Sequence, residues 1–191
     1  MNKAEELEKL KKEMEEDKEL PLFGEANLVF GEGDVGAEVM FIGEAPGFHE
    51  DKFMRPFVGQ AGKLLDKLLE KINLPRESVY ITNIVKRRPP ENRDPLPEEI
   101  EAYKPYLKKQ IQIINPKIIA TLGRFAMNYF LSDFKISQSH GRGVILREKI
   151  IYPLYHPAAA LRATAILKEL EKDFKKLPSL LKNYDNVKIK K

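Results

Sequence analysis

Four short apolar runs, each followed by small or polar residues, constrain the fold more than any other feature of this sequence. The runs lie at 38–43, 79–85, 117–123 and 150–154, and they are nearly continuous rather than alternating. Runs of this kind predict strands buried on both faces, as in a parallel sheet. The segments between them carry leucine and isoleucine at helical spacing. The sequence therefore predicts an α/β fold with three layers, in which helices cover both faces of a four-stranded, mostly parallel sheet.

The length of the chain and its two ends predict one domain with short terminal extensions. At 191 residues the chain is long enough for one core and short for two, so we expect a single domain over 1–191. Leu7, Leu10 and Met14 predict an amphipathic helix within residues 1–20. The lysine-rich end at 183–191 is expected to be flexible. The abundance of lysine and glutamate favours a thermophilic source.

The absence of cysteine excludes several kinds of site. Disulfides, thiolate nucleophiles and cysteine-ligated zinc or iron–sulfur centres all need that side chain. The three histidines, His49, His140 and His156, do not form an HExxH-like pair. We therefore expect no metal site.

Small and polar residues follow three of the predicted strands. The segment GEAPG at 43–47 ends the first strand, Asn83 lies near the end of the second, and His156 follows the last. Phe57 lies further along the first of these loops. Because the carboxyl ends of parallel strands meet at one edge of a sheet, we expect these residues to line one cleft. For GEAPG alone, a surface turn with solvated acids is the alternative.

A basic, proline-stiffened loop follows Asn83. It carries Lys86, Arg87, Arg88 and Arg93. Cations this close together suit contacts with the phosphates of a nucleic acid. A solvated basic loop is the alternative that composition leaves open, and the net charge of +4 is compatible with both.

Five ordered segments resemble the uracil-DNA glycosylase superfamily, most closely its family 4. They are GEAPG-x3-D (43–51), RPFVG-x-AGKLLD (55–66), YITNIVK-x-RPP-x-NRDP (80–95), TLGRFAM (121–127) and YHPAA-x-LR (155–162). The resemblance extends from about residue 15 to about residue 175. It implies the fold of that superfamily and a hydrolase that removes uracil from DNA.

The resemblance implies roles for Glu44, Phe57, Asn83 and His156. Phe57 resembles the ring on which a flipped uracil stacks. Asn83 resembles the amide that pairs with uracil O4 and N3–H, a pattern that cytosine reverses. His156, neutral or charged, resembles the donor to uracil O2 as the glycosidic bond breaks. Glu44 resembles the acid on the water side, where it could orient water, bind uracil or stabilise the cationic sugar.

The same resemblance assigns the residues around these four. Either Glu50 or Asp51 is expected beside uracil C5, where it would reject the methyl group of thymine. The segment 157–162 resembles a wedge that fills the space left by the flipped base, although it also reads as an ordinary helix start. Further expected uracil contacts are Ala45, Pro46 and Gly47, and expected DNA contacts are Arg55, Lys86, Arg88, Arg93, Arg124, Ala159, Ala160, Leu161 and Arg162.

One departure from the family concerns a cofactor. Family 4 members generally carry four cysteines that bind a 4Fe–4S cluster, and by the surrounding matches those positions are Asp17, Leu20, Arg87 and Tyr103 here. None of them supplies a thiolate, so we expect no cluster and no other cofactor. We expect instead that Tyr103 packs on Leu20 and that Asp17 pairs with Arg87, which would hold the N-terminal helix against the basic loop.

These observations predict a monofunctional uracil-DNA glycosylase that leaves an abasic site in DNA. We expect a cytoplasmic, nucleoid-associated monomer that binds uracil-containing DNA, single- or double-stranded, and no membrane. One alternative is a binding protein that keeps the pocket but lacks turnover, and the joint presence of Glu44, Phe57, Asn83 and His156 favours the enzyme. A generic α/β nucleotide-binding protein is disfavoured because no glycine-rich phosphate loop is present.

Overall fold

The computed structural model describes residues 1–188 of the chain, and these residues build one six-stranded sheet. The strands are β1 (Glu32–Gly33), β2 (Val39–Gly43), β3 (Tyr80–Asn83), β4 (Ile118–Leu122), β5 (Val144–Leu146) and β6 (Lys149–Leu154). Their order across the sheet is β1-β3-β2-β4-β6-β5. The four central strands are parallel, and the short β1 and β5 pair antiparallel at the edges.

Helices cover both faces of this sheet. They are α1 (Lys3–Glu16), α2 (Phe48–Phe53), α3 (Gln60–Lys71), α4 (Pro97–Ile114), α5 (Arg124–Phe130), α6 (Ile136–Ser139), α7 (Pro157–Ala160), α8 (Thr164–Lys182) and α9 (Tyr184–Lys188). Apolar residues of α1, α4 and α5 form one hydrophobic core with the sheet, and those of α3, α7 and α8 form the other. The arrangement confirms the predicted three-layer α/β class.

Burial on both faces explains why the strand runs do not alternate. In β2, Met40 and Ile42 belong to the core under α1 and α4, whereas Val39 and Phe41 belong to the core under α3 and α8. The predicted four strands correspond to the parallel centre of the sheet. The edge strands are not among the predicted four, because β1 has 2 residues and β5 has 3, which is too short for a periodic signal.

The N-terminal helix agrees with the sequence prediction, and the other end of the described chain contains a further short helix. The buried residues of α1 are Leu7, Leu10 and Met14, as predicted. Within the end that was predicted to be flexible, residues 184–188 form α9, and Tyr184 packs into the core beside α8. Residues 189–191 lie outside the described range. Within residues 1–188, no helix is long and apolar enough to cross a membrane.

Candidate active site

A cleft of about 580 Å³ opens at the carboxyl ends of the parallel strands. Its lining comes from the loops that follow β2, β3, β4 and β6. The predicted residues that line it are Glu44, Ala45, Pro46, Gly47, Glu50, Phe57, Asn83, Arg93, Arg124, His156, Ala159 and Arg162. Ala158, from the segment expected to form a wedge, also lines it, as do four residues to which the sequence assigned no role: Ala61, Pro89, Asn92 and Asp94. The three predicted loops therefore do meet at one edge of the sheet.

Asn83 reaches the cleft because its neighbour in the sheet has no side chain. Asn83 is the last residue of β3 and lies opposite Gly43 of β2. A Cβ on Gly43 would lie 2.5 Å from Asn83 Oδ1 and 2.6 Å from Phe57 Cζ, so glycine leaves room for both side chains. Within the described residues, Asn83 Oδ1 is buried and has no hydrogen-bond partner. A buried amide oxygen without a partner is costly, and a ligand that donates a hydrogen bond there would remove the cost.

Phe57 is held in a conformation that a bulky residue rarely adopts. Its φ is +51°, in the left-handed region, and its ring lies 5.7 Å from that of His156 at 30°. Gly62 permits the loop to pack on α3, because a Cβ there would lie 1.8 Å from Phe57 O. A strained backbone of this kind persists only where the surroundings hold it.

Two charged side chains, those of Glu50 and Arg76, hold the Phe57 loop through hydrogen bonds to its backbone. Glu50 Oε1 accepts from the backbone N–H groups of Val58, at 3.0 Å, and Gly59, at 2.8 Å. The guanidinium of Arg76 donates to the carbonyl oxygens of Pro56 and Phe57. Arg76 is itself anchored by the carboxylates of Asp66 and Glu32, each at 2.8 Å. Arg76 carries no motif signal, because it belongs to a 3₁₀ turn well after the loop that it holds.

Arg76→Ala is expected to lower the free energy of unfolding by about 1–3 kcal/mol, since it leaves two loop carbonyls and two partly buried carboxylates without this partner. Thermal unfolding should then shift down by several degrees. The matched control is Arg55→Ala, which also removes a cation from Glu32 but from a side chain that is 59% exposed. We expect little change in that control. Equal shifts in both variants would show that the loop carbonyls do not matter.

Asp51 does not reach the cleft. Its Oδ1 accepts from the backbone N–H of Asn27 at 2.7 Å, and its backbone oxygen accepts from the side chain of the same asparagine. Of the two carboxylates between which the sequence left the choice open, Glu50 is the one that lines the cleft.

His156 presents one defined tautomer. It is the N-cap of α7, and its Nδ1 accepts from the backbone N–H of Ala158 at 3.1 Å. Nδ1 must therefore be unprotonated in the neutral ring, which assigns the hydrogen to Nε2. Burial lowers the pKa of His156 to about 4, and the charge of Glu50 opposes that shift only in part. At neutral pH His156 is a neutral hydrogen-bond donor.

The carboxyl group of Glu44 has a raised pKa, so both its protonated and its ionised form are populated near neutral pH. Burial and the charge of Asp94 raise its pKa to about 7, and the charge of Arg124 opposes the shift. Asp94 and Arg124 pair with each other at 2.9 Å on the rim of the cleft. A carboxyl group that titrates near neutrality in a cleft is typical of a functional site.

Two of the predicted DNA contacts are wrong because their side chains point inward. Lys86 is fully buried, where its Nζ donates to Thr82 Oγ1 and to Gln110 Oε1, and burial lowers its pKa well below the ordinary value. Lys86 lies just beyond the end of β3, and its ammonium group contacts Thr82 of that strand inside the core. Ala160 is buried in the core beneath α7.

The other predicted cations remain at the surface, although most have acidic or polar partners. Arg55 pairs with Glu32, Arg93 with Glu99, and Arg124 with Asp94. Arg88 donates to Asn92 Oδ1 at 2.7 Å. Arg162 and Leu161 are both exposed beside the cleft, and Leu161 is 53% exposed.

The four positions that match cluster cysteines do not form a metal site. Tyr103 and Leu20 are buried in the same core, as expected. In the part of the chain that the structure describes, Asp17 and Arg87 form no ion pair, so that expectation is wrong.

Tyrosines take up the two charged groups instead. Tyr106 donates to Asp17 Oδ2 at 2.6 Å, while Arg87 donates to the hydroxyl of Tyr103 at 3.3 Å. Tyr103 in turn donates to the backbone oxygen of Pro21 at 2.6 Å. Among the described residues, no group of three or more histidines, cysteines or acids could hold a metal ion. These side chains do not fit an iron–sulfur cluster.

Comparison with known proteins identifies close relatives. The family model of the Uracil DNA glycosylase superfamily matches residues 30–178. The Type-4 uracil-DNA glycosylase of Sulfurisphaera tokodaii is 49% identical over 185 residues, which cover 91% of this chain and 84% of the relative. The corresponding enzyme of Saccharolobus solfataricus is 48% identical, with coverage of 81% and 76%. That of Archaeoglobus fulgidus is 45% identical, with coverage of 81% and 82%. These sources are consistent with the thermophilic character expected from the composition.

Proposed function

The chain belongs to the uracil-DNA glycosylase superfamily and is a uracil-DNA glycosylase, and we propose that it flips deoxyuridine out of DNA and hydrolyses its N-glycosidic bond with the cleft residues Glu44, Phe57, Asn83 and His156. The observation that carries the assignment of the site is the buried, unpaired Oδ1 of Asn83 beside the rings of Phe57 and His156. The product is an abasic site, and the enzyme is monofunctional.

Recognition of the base falls to Asn83 and Phe57. Asn83 Oδ1 accepts from uracil N3–H, and the Nδ2 group donates to uracil O4. Cytosine has an acceptor at N3 and a donor at position 4, so it would place like groups opposite each other. Phe57 supplies a flat apolar surface on which the extruded base stacks. Glu50, which holds the loop of Phe57, stands beside C5.

Bond cleavage falls to His156 and Glu44. As the bond between C1′ and N1 breaks, its electron pair passes to uracil and the sugar becomes cationic. The Nε2–H of neutral His156 donates to uracil O2, where part of the negative charge collects. The ionised carboxylate of Glu44 stabilises the sugar cation and orients the water that adds to C1′. The proton released from that water balances the charge on uracil.

Uracil excision is expected to rise with pH through the pKa of Glu44, which is about 7. Below that pH the carboxyl group is protonated and neutral, so the rate should fall about tenfold for each further pH unit. Above it the carboxylate is charged and the rate should level off. A single-turnover pH profile tests this, with Glu44→Gln as the variant that cannot ionise. A step near pH 7 that persists in Glu44→Gln would assign the titration to another group.

The direct test of function is excision from a labelled oligonucleotide that carries one uracil, followed by alkaline cleavage of the abasic strand. Matched oligonucleotides with thymine or cytosine at the same position serve as controls. We expect cleavage at uracil alone. Tight binding of the uracil oligonucleotide without cleavage would instead identify a silent binding protein.

We extend the proposal to the cofactor and the assembly. The chain has no cysteine, and side chains packed into the core occupy two of the four cluster positions, which supports an enzyme that works without an iron–sulfur cluster. The shared sheet with a core on each face supports a single domain. We propose a monomer that acts on chromosomal DNA in the cytoplasm, on single or double strands.

A further inference from the structure

An exposed aromatic ring stands at the edge of the cleft and takes no part in the chemistry above. Phe48 follows Gly47, a lining residue, and begins α2. Its side chain is 55% exposed. A ligand that covers an apolar side chain beside a binding cleft removes apolar surface from water, which favours binding.

The surroundings of Phe48 are cationic and polar. The guanidinium carbon of Arg88 lies 5.3 Å from the centre of the ring, and the ring of His49 meets it edge-on at 5.5 Å. Arg88 is held by Asn92, which itself lines the cleft. A planar ring with a guanidinium beside it is the pairing by which proteins bind unpaired bases of a DNA strand.

The sheet order sets Phe48 apart from the predicted wedge. Phe48 follows β2, its partner Arg88 follows β3, and Leu161 follows β6. Since the central strands run β3-β2-β4-β6, Phe48 and Leu161 lie towards opposite sides of the cleft. A strand that inserts one nucleotide into the cleft must leave it on both sides, because neighbouring nucleotides are covalently joined. Leu161 is placed to contact the DNA strand on one side of the cleft, and Phe48 is placed to contact it on the other.

We propose that Phe48, backed by Arg88, stacks on the base next to the deoxyuridine in the same DNA strand. This inference rests on the proposed function, because it places the flipped nucleotide in the cleft. The contact reads no base identity, since every base offers a flat face. It is strongest where the neighbouring base is unpaired, so it favours uracil in single-stranded or frayed DNA over uracil in a stable duplex.

The test is a double-mutant cycle that combines a substitution of Phe48 in the protein with removal of a base next to the uracil in the DNA. Wild type and Phe48→Ala are compared on a single-stranded oligonucleotide with one uracil, and on versions in which the nucleotide 5′ or 3′ of it carries a tetrahydrofuran in place of its base. We expect Phe48→Ala to lower kcat/KM on the intact strand by about 5- to 150-fold. Removing one of the two flanking bases should lower the kcat/KM of the wild type by a similar factor and leave the kcat/KM of Phe48→Ala almost unchanged.

Two further variants separate stacking from other effects. Phe48→Trp keeps a flat ring and should retain most of the activity. Phe53→Ala is the matched control, because Phe53 is 56% exposed on the same helix but lies about 140° around its axis from Phe48. We expect it to behave as wild type.

Each other outcome contradicts the proposal. Phe48→Ala with wild-type kcat/KM would mean that the ring contacts no DNA. If the losses of kcat/KM caused by Phe48→Ala and by removal of either flanking base multiply, the ring and the flanking bases do not touch. If Phe53→Ala loses as much kcat/KM as Phe48→Ala, the effect comes from a general apolar surface and not from stacking by Phe48. Fluorescence anisotropy measures the binding affinity of the same proteins for the same oligonucleotides, which gives the comparison without relying on turnover. Wild type that binds but does not excise uracil would refute the proposed function and leave the stacking result readable.

Discussion

Asn83→Ala should lower kcat/KM for uracil excision by about a thousandfold or more. The amide is buried at the end of β3, and its Oδ1 has no hydrogen-bond partner within residues 1–186. A site built to pair with a ligand in this way loses several orders of magnitude when the pairing is removed. Steady-state kinetics on an oligonucleotide with one uracil measure the effect.

Thr121→Val is the matched control for Asn83→Ala. Thr121 Oγ1 is the other buried side-chain atom without a partner in the described part of the chain, but Thr121 lies in β4 and does not line the cleft. Replacing it by the isosteric valine should leave kcat/KM unchanged and leave stability equal or slightly higher. Asn83→Ala that stays within tenfold of wild type would contradict the assignment of base recognition to this residue.

His156→Ala is expected to lower kcat by about 10²- to 10³-fold, with a smaller change in KM. The reason is that the hydrogen bond to uracil O2 strengthens only as charge develops on the base. In Glu44→Gln, which lacks the step near pH 7, the pH profile should show no remaining step near the ordinary pKa of histidine, because the pKa of His156 is about 4. Below that pH, protonation of Nδ1 abolishes the acceptor for Ala158 N–H, so activity should fall on the acid side.

His156→Asn separates catalysis from structure. An asparagine at this N-cap can still accept from the backbone N–H of Ala158, so the start of α7 should keep its stability. It lacks a donor at the position of Nε2, and kcat should fall as far as in His156→Ala. A variant His156→Asn with nearly wild-type kcat would show that the histidine acts only as a helix cap.

Much of the site was predictable because its residues follow strands directly. Glu44, Asn83 and His156 each stand at or just after the end of a central strand, and the carboxyl ends of parallel strands converge. Phe57 was predictable from its motif. The placement of Lys86 was not predictable, because the sequence of a basic loop does not show that this one side chain reaches back to Thr82 in the core.

Contacts between distant segments were beyond the sequence. Arg76 holds the loop of Phe57 from a turn that resembles any other surface turn. The expected pair of Asp17 and Arg87 rested on their match to cluster positions and on their opposite charges and size. In the structure Tyr106 donates to Asp17, and Arg87 donates to Tyr103. Opposite charges in a sequence indicate which side chains could form an ion pair. Which pairs form depends on whether the side chains can reach each other and on how buried they are.

By itself, the sequence determined the three-layer α/β class, the edge of the sheet that carries the cleft and the lack of any thiolate ligand. These depend on hydrophobic pattern and residue type, which are local properties. Only the tertiary structure decided which of Glu50 and Asp51 lines the cleft, which tautomer His156 adopts, and that the pKa of Glu44 is raised to about 7. Hydrogen-bond geometry and desolvation depend on distances between residues far apart in the chain, and those distances exist only after the sheet and its two helical layers have packed.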